Sequence, residues 1–228
     1  MFLMIPIKDD NPTKNRSIMR LVIIVVCSIV FLIQLTGDNY YLVNFYGYKP
    51  ASLLGNNYQY ETFNPILTIV TSMFMHGGWL HFFGNMLYLW IFSDNIEDAL
   101  GKKQFVIFYF LSGIFAALFQ SIGEINSDVP MIGASGAIAG ILGAYIYLFP
   151  KAKILVIVPL LIFFFSMRLP ALIVLGFWFI IQFLNVTLFD SQNSNVAWMA
   201  HIGGFIFGIF YCIFFLKKKK KGSSVFLK

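Results

Sequence analysis

Six long apolar runs, separated by short polar breaks, leave this chain one solvent to fold in. The first, Ile18–Thr36, has nineteen residues and one charge, Arg20. At ~1.5 Å per residue such a helix nearly crosses a ~30 Å hydrocarbon core. Five more follow at about 79–96, 105–122, 133–149, 169–188 and 197–216. Only 11% of the 228 residues are charged and 59% are hydrophobic, against about 25% charged in soluble domains. The chain therefore reads as an all-α polytopic membrane protein.

The breaks define the organisation. Residues 1–17 form a short polar tail, 18–216 the membrane domain, and 217–228 a basic tail. No small-residue cleavage site follows the first run, which reads as a retained helix and not a signal peptide. Residues 37–64 are polar and aromatic and read as a long loop. Gly77-Gly78 splits the next apolar stretch, so a short interfacial helix precedes the second span. Pro150 ends the fourth span, because proline cannot continue the hydrogen-bond ladder. Residues 154–167 are apolar but number about 14 and contain Pro159, which suits a re-entrant or interfacial element.

Charge placement tests the count. With the N-terminus inside, fifteen of the sixteen basic residues fall on inner segments: Lys8, Lys14, Arg16, Arg20, Lys102, Lys103, Lys151, Lys153, Arg168, Lys217 to Lys221 and Lys228. Only Lys49 lies outside. A seventh span at 154–167 would place the C-terminal lysines outside, against the positive-inside rule. Six spans with both termini cytoplasmic is the expectation. The lysine run reads as an anchor to anionic lipid, since no soluble domain surrounds it to bind nucleic acid. Cys27 and Cys212 lie in apolar runs with no disulfide or metal spacing and read as small buried hydrophobes.

In this topology spans two, four and six all run inward. His81 and Asn85 lie in the first turns of span two, on one face. Ser135 opens span four and His201 stands about 6–7 Å below the start of span six. The four residues thus reach similar depth, and polar groups in spans face the bundle interior or a cavity. Together they supply a nucleophile, a base and hydrogen-bond donors. Span four is also short, so its recessed start offers free backbone N–H groups beside Ser135.

Plainer readings stand beside this one. Gly136-xxx-Gly140 and Gly204-xxx-Gly208 are small-residue patterns of close helix packing. A lone membrane serine more often packs or bonds backbone than reacts. His76, His81 and His201 could hold a metal or haem, although no HExxH or Cys/His cluster accompanies them.

Three motifs carry a family resemblance over about residues 65–216. They are His76-xxxx-His81-xxx-Asn85 in "HGGWLHFFGN", Gly133-x-Ser135-Gly136 with Gly140, and Ala200-His201-xx-Gly204-xxx-Gly208 in "AHIGGFIFG". In order and placement they resemble the rhomboid intramembrane serine proteases. The resemblance implies a six-helix bundle with a short recessed fourth span. It implies a Ser135–His201 dyad without an acidic third member, His201 acting as general base and then acid. His81, Asn85 and the Ser135 backbone N–H would form the oxyanion hole, with no cofactor and no metal. Gly133 would shape the site, and Gly204 and Gly208 would let span six press on span four. His76 would order its loop and Glu97 would brace helix ends.

Two departures accompany the match. The Trp-Arg pair of many members is replaced by "PILTIV" at 65–70, and Ala139 stands where members often place an aromatic against the histidine. His201 then needs other contacts to orient it. The resemblance further implies transmembrane protein substrates entering through spans five and six and the loop 189–196, a site opening to the extracytoplasmic face, and a bacterial plasma membrane. The alternatives are a catalytically silent rhomboid-like protein that binds membrane clients, and a transporter, for which no internal duplication is visible.

Overall fold

The computed structural model describes residues 4–55, 61–160, 163–188 and 196–216. The basic run 217–221 and most of the loop 189–196 lie outside the described residues. Nine helices and three strands follow in the order β1 (Ile5–Asp9), α1 (Ile18–Thr36), α2 (Asn39–Tyr46), α3 (Pro50–Leu54), α4 (Pro65–Thr71), α5 (Trp79–Leu100), α6 (Lys102–Gly123), α7 (Ser135–Leu148), β2 (Lys153–Leu160), β3 (Phe163–Pro170), α8 (Ala171–Leu188) and α9 (Trp198–Tyr211), among the described residues. A 3₁₀ turn, Ser72–Phe74, extends α4, and a π-helical turn, Cys212–Leu216, extends α9.

The membrane bundle expected from the apolar runs is present. Among the described residues four helices are long and apolar enough to cross a bilayer: Ile18–Thr36, Lys102–Gly123, Ala171–Leu188 and Trp198–Leu216. Pro65–Phe74 and Trp79–Leu100 meet at an 82° bend, so α5 with its kinked lead-in makes a fifth. Gly77 and Gly78 supply the break, as expected. Asn64 starts the lead-in helix, its Oδ1 accepting from Ile66 and Leu67 N–H at 3.0 and 3.1 Å, with Pro65 at the first helical position. Here, in place of a Trp-Arg pair, Ile66 and Leu67 stand exposed. Helix α7 has only 14 residues, about 21 Å against ~30 Å for a full crossing.

Two segments depart from the sequence reading. Residues 37–64 hold α2 and α3 where a loop was expected. Residues 154–167, expected to be re-entrant or interfacial, instead form the hairpin β2–β3, paired from Lys153↔Pro170 to Leu160↔Phe163. β-Branched Ile154, Val156, Ile157 and Val158 favour an extended chain. A short apolar run carries no period that separates strand from helix.

The partner that decides the hairpin comes from the far end of the sequence. β1 pairs antiparallel with β2, Ile5 against Ile157 and Asp9 against Ile154, with a register shift between Pro6 and Lys8. Residues 4–17 of the expected tail are thus drawn into the fold. Asp10 pairs with Arg168 at 3.0 Å, Asn95 donates to the Asn11 carbonyl at 3.0 Å, and Asp98 accepts from Lys14 and Asn15 N–H at 2.9 and 3.1 Å. Glu97 takes the Met19 and Arg20 N–H groups at 3.0 and 2.9 Å. It thereby caps α1, whose Ser17 supplies no side-chain cap.

Asp9 yields a pH prediction. Its carboxylate accepts from the Tyr145 hydroxyl of α7 at 2.7 Å. Burial, opposed by that hydrogen bond and reinforced by Asp94, pushes its pKa up to about 6. The folded protein therefore holds this proton more tightly than the unfolded chain does. The stability it contributes is present in acid and is lost as pH rises through about 6. Asp9→Asn keeps an acceptor for Tyr145 and never ionises. Its melting temperature in detergent is expected to exceed wild type at about pH 7.5, with the gap closing by about pH 4.5. A gap independent of pH would refute this role.

Candidate active site

Ser135 is the first residue of α7, and Ala134 occupies the N-cap. The N–H groups of a first helical turn have no partner within the helix, and the helix dipole makes that end attractive to negative charge. Gly133 just before it has φ +125°, a conformation that glycine adopts freely. A Cβ there would stand 2.7 Å from His81 Nε2. The missing side chain is what lets the His81 ring lie beside the serine.

His201 reaches Ser135 from α9, Nε2 to Oγ at 2.9 Å. The approach depends on glycines of α7 and α9, the most extensively packed helix pair. A Cβ on Gly204 would overlap the Gly136 carbonyl oxygen, and one on Gly208 the Gly140 carbonyl oxygen. Gly136 faces the methyl of Ala116 on α6, and Gly140 faces Ser112. The small-residue reading and the site reading are thus one feature, since close packing carries the imidazole to the hydroxyl.

The other nitrogen of His201 contacts a residue that sequence reasoning missed. Gln182 of α8 places Oε1 2.8 Å from Nδ1. Its amide cannot turn round freely, because Nε2 donates to the Trp178 carbonyl at 3.1 Å. The oxygen thus faces the ring, Nδ1 carries the hydrogen, and Nε2 presents its lone pair to Ser135. Trp178 and Trp198 flank the ring at 5.7 and 6.0 Å between centroids. These contacts replace the aromatic absent at Ala139, which is fully buried with its Cβ 3.2 Å from where a Gly204 side chain would start. A buried glutamine in a span was the available signal, since such groups need a partner.

Donors face the same space. Asn85 is buried, and among the described residues its Nδ2 has no hydrogen-bond partner. His81 Nδ1 accepts from the Gly77 N–H at 3.3 Å, which leaves the Nε2 hydrogen pointing away from the loop. His76 does not line the cavity with them, although its ring meets His81 edge-on at 5.3 Å between centroids. Its backbone is clamped instead, N–H to Gln34 Oε1 at 2.9 Å and carbonyl from Gln34 Nε2 at 3.1 Å. One cavity of about 690 Å³ is lined by His81, Asn85, Ser135, Gln182 and His201 together. Among the described residues no three His, Cys, Asp or Glu side chains gather as a metal-binding set.

Fold and site define a helical integral membrane protein with a hydrogen-bonded serine–histidine pair at the start of a short helix. The Rhomboid domain family matches residues 64–218, and the chain belongs to the rhomboid family. It is 31% identical over 164 residues to Rhomboid protein 1, mitochondrial, of Saccharomyces cerevisiae, covering 68% of this chain and 43% of that one. It is 30% identical over 177 residues to the human Presenilin-associated rhomboid-like protein, mitochondrial, covering 72% and 43%. With YdcA of Bacillus subtilis (strain 168) it shares 28% over 160 residues, 67% of this chain and 69% of that one. The match thus spans less than half the length of the mitochondrial relatives. Because such relatives match, the expectation of a bacterial plasma membrane is not supported.

Proposed function

We propose that this protein is an intramembrane serine endopeptidase that hydrolyses peptide bonds in or near transmembrane segments of other membrane proteins. The observation that carries the reading is the 2.9 Å contact of His201 Nε2 with Ser135 Oγ, with Gln182 holding the opposite nitrogen. Ser135 Oγ attacks the scissile carbonyl and its proton passes to His201 Nε2. The oxyanion forms against the Ser135 N–H, Asn85 Nδ2 and His81 Nε2, each such donor worth ~10²–10³ in rate. His201 returns the proton to the departing amine. It then takes one from the water that splits the acyl-enzyme and hands it to Ser135.

In this reading α7 is the fourth of six spans, both termini are cytoplasmic, and the site opens toward the extracytoplasmic face. Substrates enter from lipid past α8 and α9. Small or helix-destabilising residues are expected at the cut, since a peptide bond in a regular helix is shielded.

A test needs no substrate. Detergent-purified protein is treated with a fluorescent fluorophosphonate beside Ser135→Ala and His201→Ala. Labelling of wild type that disappears in both variants is expected. Equal labelling of all three, or none in a folded wild type, overturns the reading and favours the client-binding alternative.

A further inference from the structure

The cavity that holds Ser135 does not end beneath it. Its wall continues inward along Tyr88 of α5, Ile138 and Leu142 of α7, and Val174 and Leu175 of α8, and it includes Met4, the residue before β1. Leu142 lies seven residues along α7 from Ser135. The inner part therefore reaches about 10 Å past the hydroxyl, about three extended residues.

The strand that carries Met4 is clamped. Met4 is partly buried and packs against the main apolar core. β1 lies on α5, whereas β2 and β3 lie on α8, so the sheet bridges two helices that flank the cavity. Asp9–Tyr145, Asp10–Arg168 and Asn11–Asn95 tie the strand and the residues after it to α7, β3 and α5. A flexible thioether on a fixed strand makes an adaptable apolar stop.

We propose that Met4 is a specificity-determining residue: carried by β1, it sets the inward length of an apolar subsite that begins at Ser135 and takes an extended apolar chain of the substrate. This rests on Ser135 being the reactive serine proposed above. A longer chain must displace Met4, whereas a shorter one leaves apolar wall uncovered.

The test compares labelling rates of isopropyl and octyl fluorophosphonates on the full chain in detergent. In each case Ser135 Oγ bonds to phosphorus, fluoride leaves and the serine proton passes to His201. The isopropyl probe ends short of Met4 and reports the serine alone. The readout is the octyl-to-isopropyl rate ratio. Met4→Trp is expected to lower it about tenfold, the scale on which apolar pockets discriminate size, and Met4→Ala to raise it. The Ala variant decides the matter should the Trp variant not fold. Isopropyl labelling with a ratio unchanged in both variants overturns the role of Met4. Absence of isopropyl labelling in folded wild type overturns instead the reading of Ser135 on which it rests.

Discussion

Replacing Gln182 by leucine is expected to lower kcat for a transmembrane reporter substrate by about 10- to 100-fold with KM nearly unchanged. The change leaves the buried Nδ1–H of His201 without an acceptor, at a cost of about 1–3 kcal/mol. Free to turn or change tautomer, the ring spends less time with its Nε2 lone pair on Ser135. The loss is smaller than the ~10⁴ seen where a carboxylate orienter is removed, because an amide lends no charge to the imidazolium. His201→Ala removes the proposed base itself and is expected to cost ~10⁴ or more. Gln182→Glu separates positioning from packing. Its carboxylate still accepts from Nδ1–H but cannot donate to the Trp178 carbonyl, so most turnover returns. A KM rise with kcat intact, or equal loss in the Leu and Glu variants, would show that Gln182 only fills space.

Gly204→Val is expected to destabilise the protein and to abolish labelling of Ser135. The added Cβ would overlap the Gly136 carbonyl oxygen, a backbone atom that cannot rotate away. Overpacking of this kind costs ~1–3 kcal/mol, and relief requires α9 to move off α7. His201 stands one turn earlier on α9, so the movement also lengthens the 2.9 Å contact with Ser135. A misplacement of about 1 Å costs about 10²-fold in rate. Gly208→Ala should act the same way through the Gly140 carbonyl. Gly176→Ala on α8 meets nothing within 4 Å, so a normal or slightly raised melting temperature is expected there. Thermal melting and labelling of all three variants, in one detergent, decide the matter. Unchanged labelling in Gly204→Val would mean that the helices are not held by this contact.

Much of the site was legible in sequence because its signals are local. His81 and Asn85 share a helical face, Ser135 opens a short apolar run between glycines, and His201 precedes two glycines a turn apart. Each is a statement about spacing on one helix, and the packing of those helices brings them to one cavity. Gln182 was not legible in that way. It stands out as polar in a mostly apolar helix, but only the packing of α8 against α9 reveals which ring it faces. Ala139 likewise raised the question of what orients His201, and the answer came from Gln182, 43 positions further on, together with the flanking rings of Trp178 and Trp198.

The sequence by itself determined the solvent, the long apolar helices and the chemistry on offer. Apolar length, glycine breaks and basic placement act over one helix or one loop, and hydrocarbon leaves backbone few other ways to satisfy itself. Tertiary structure alone decided that 154–167 would be a hairpin. It also decided that residues 5–9 would pair with it and that Met4 would line the cavity that holds Ser135. A strand is stable only when another strand accepts its hydrogen bonds, and here the partner lies about 150 residues away, at Ile5 against Ile157. No local pattern carries that information.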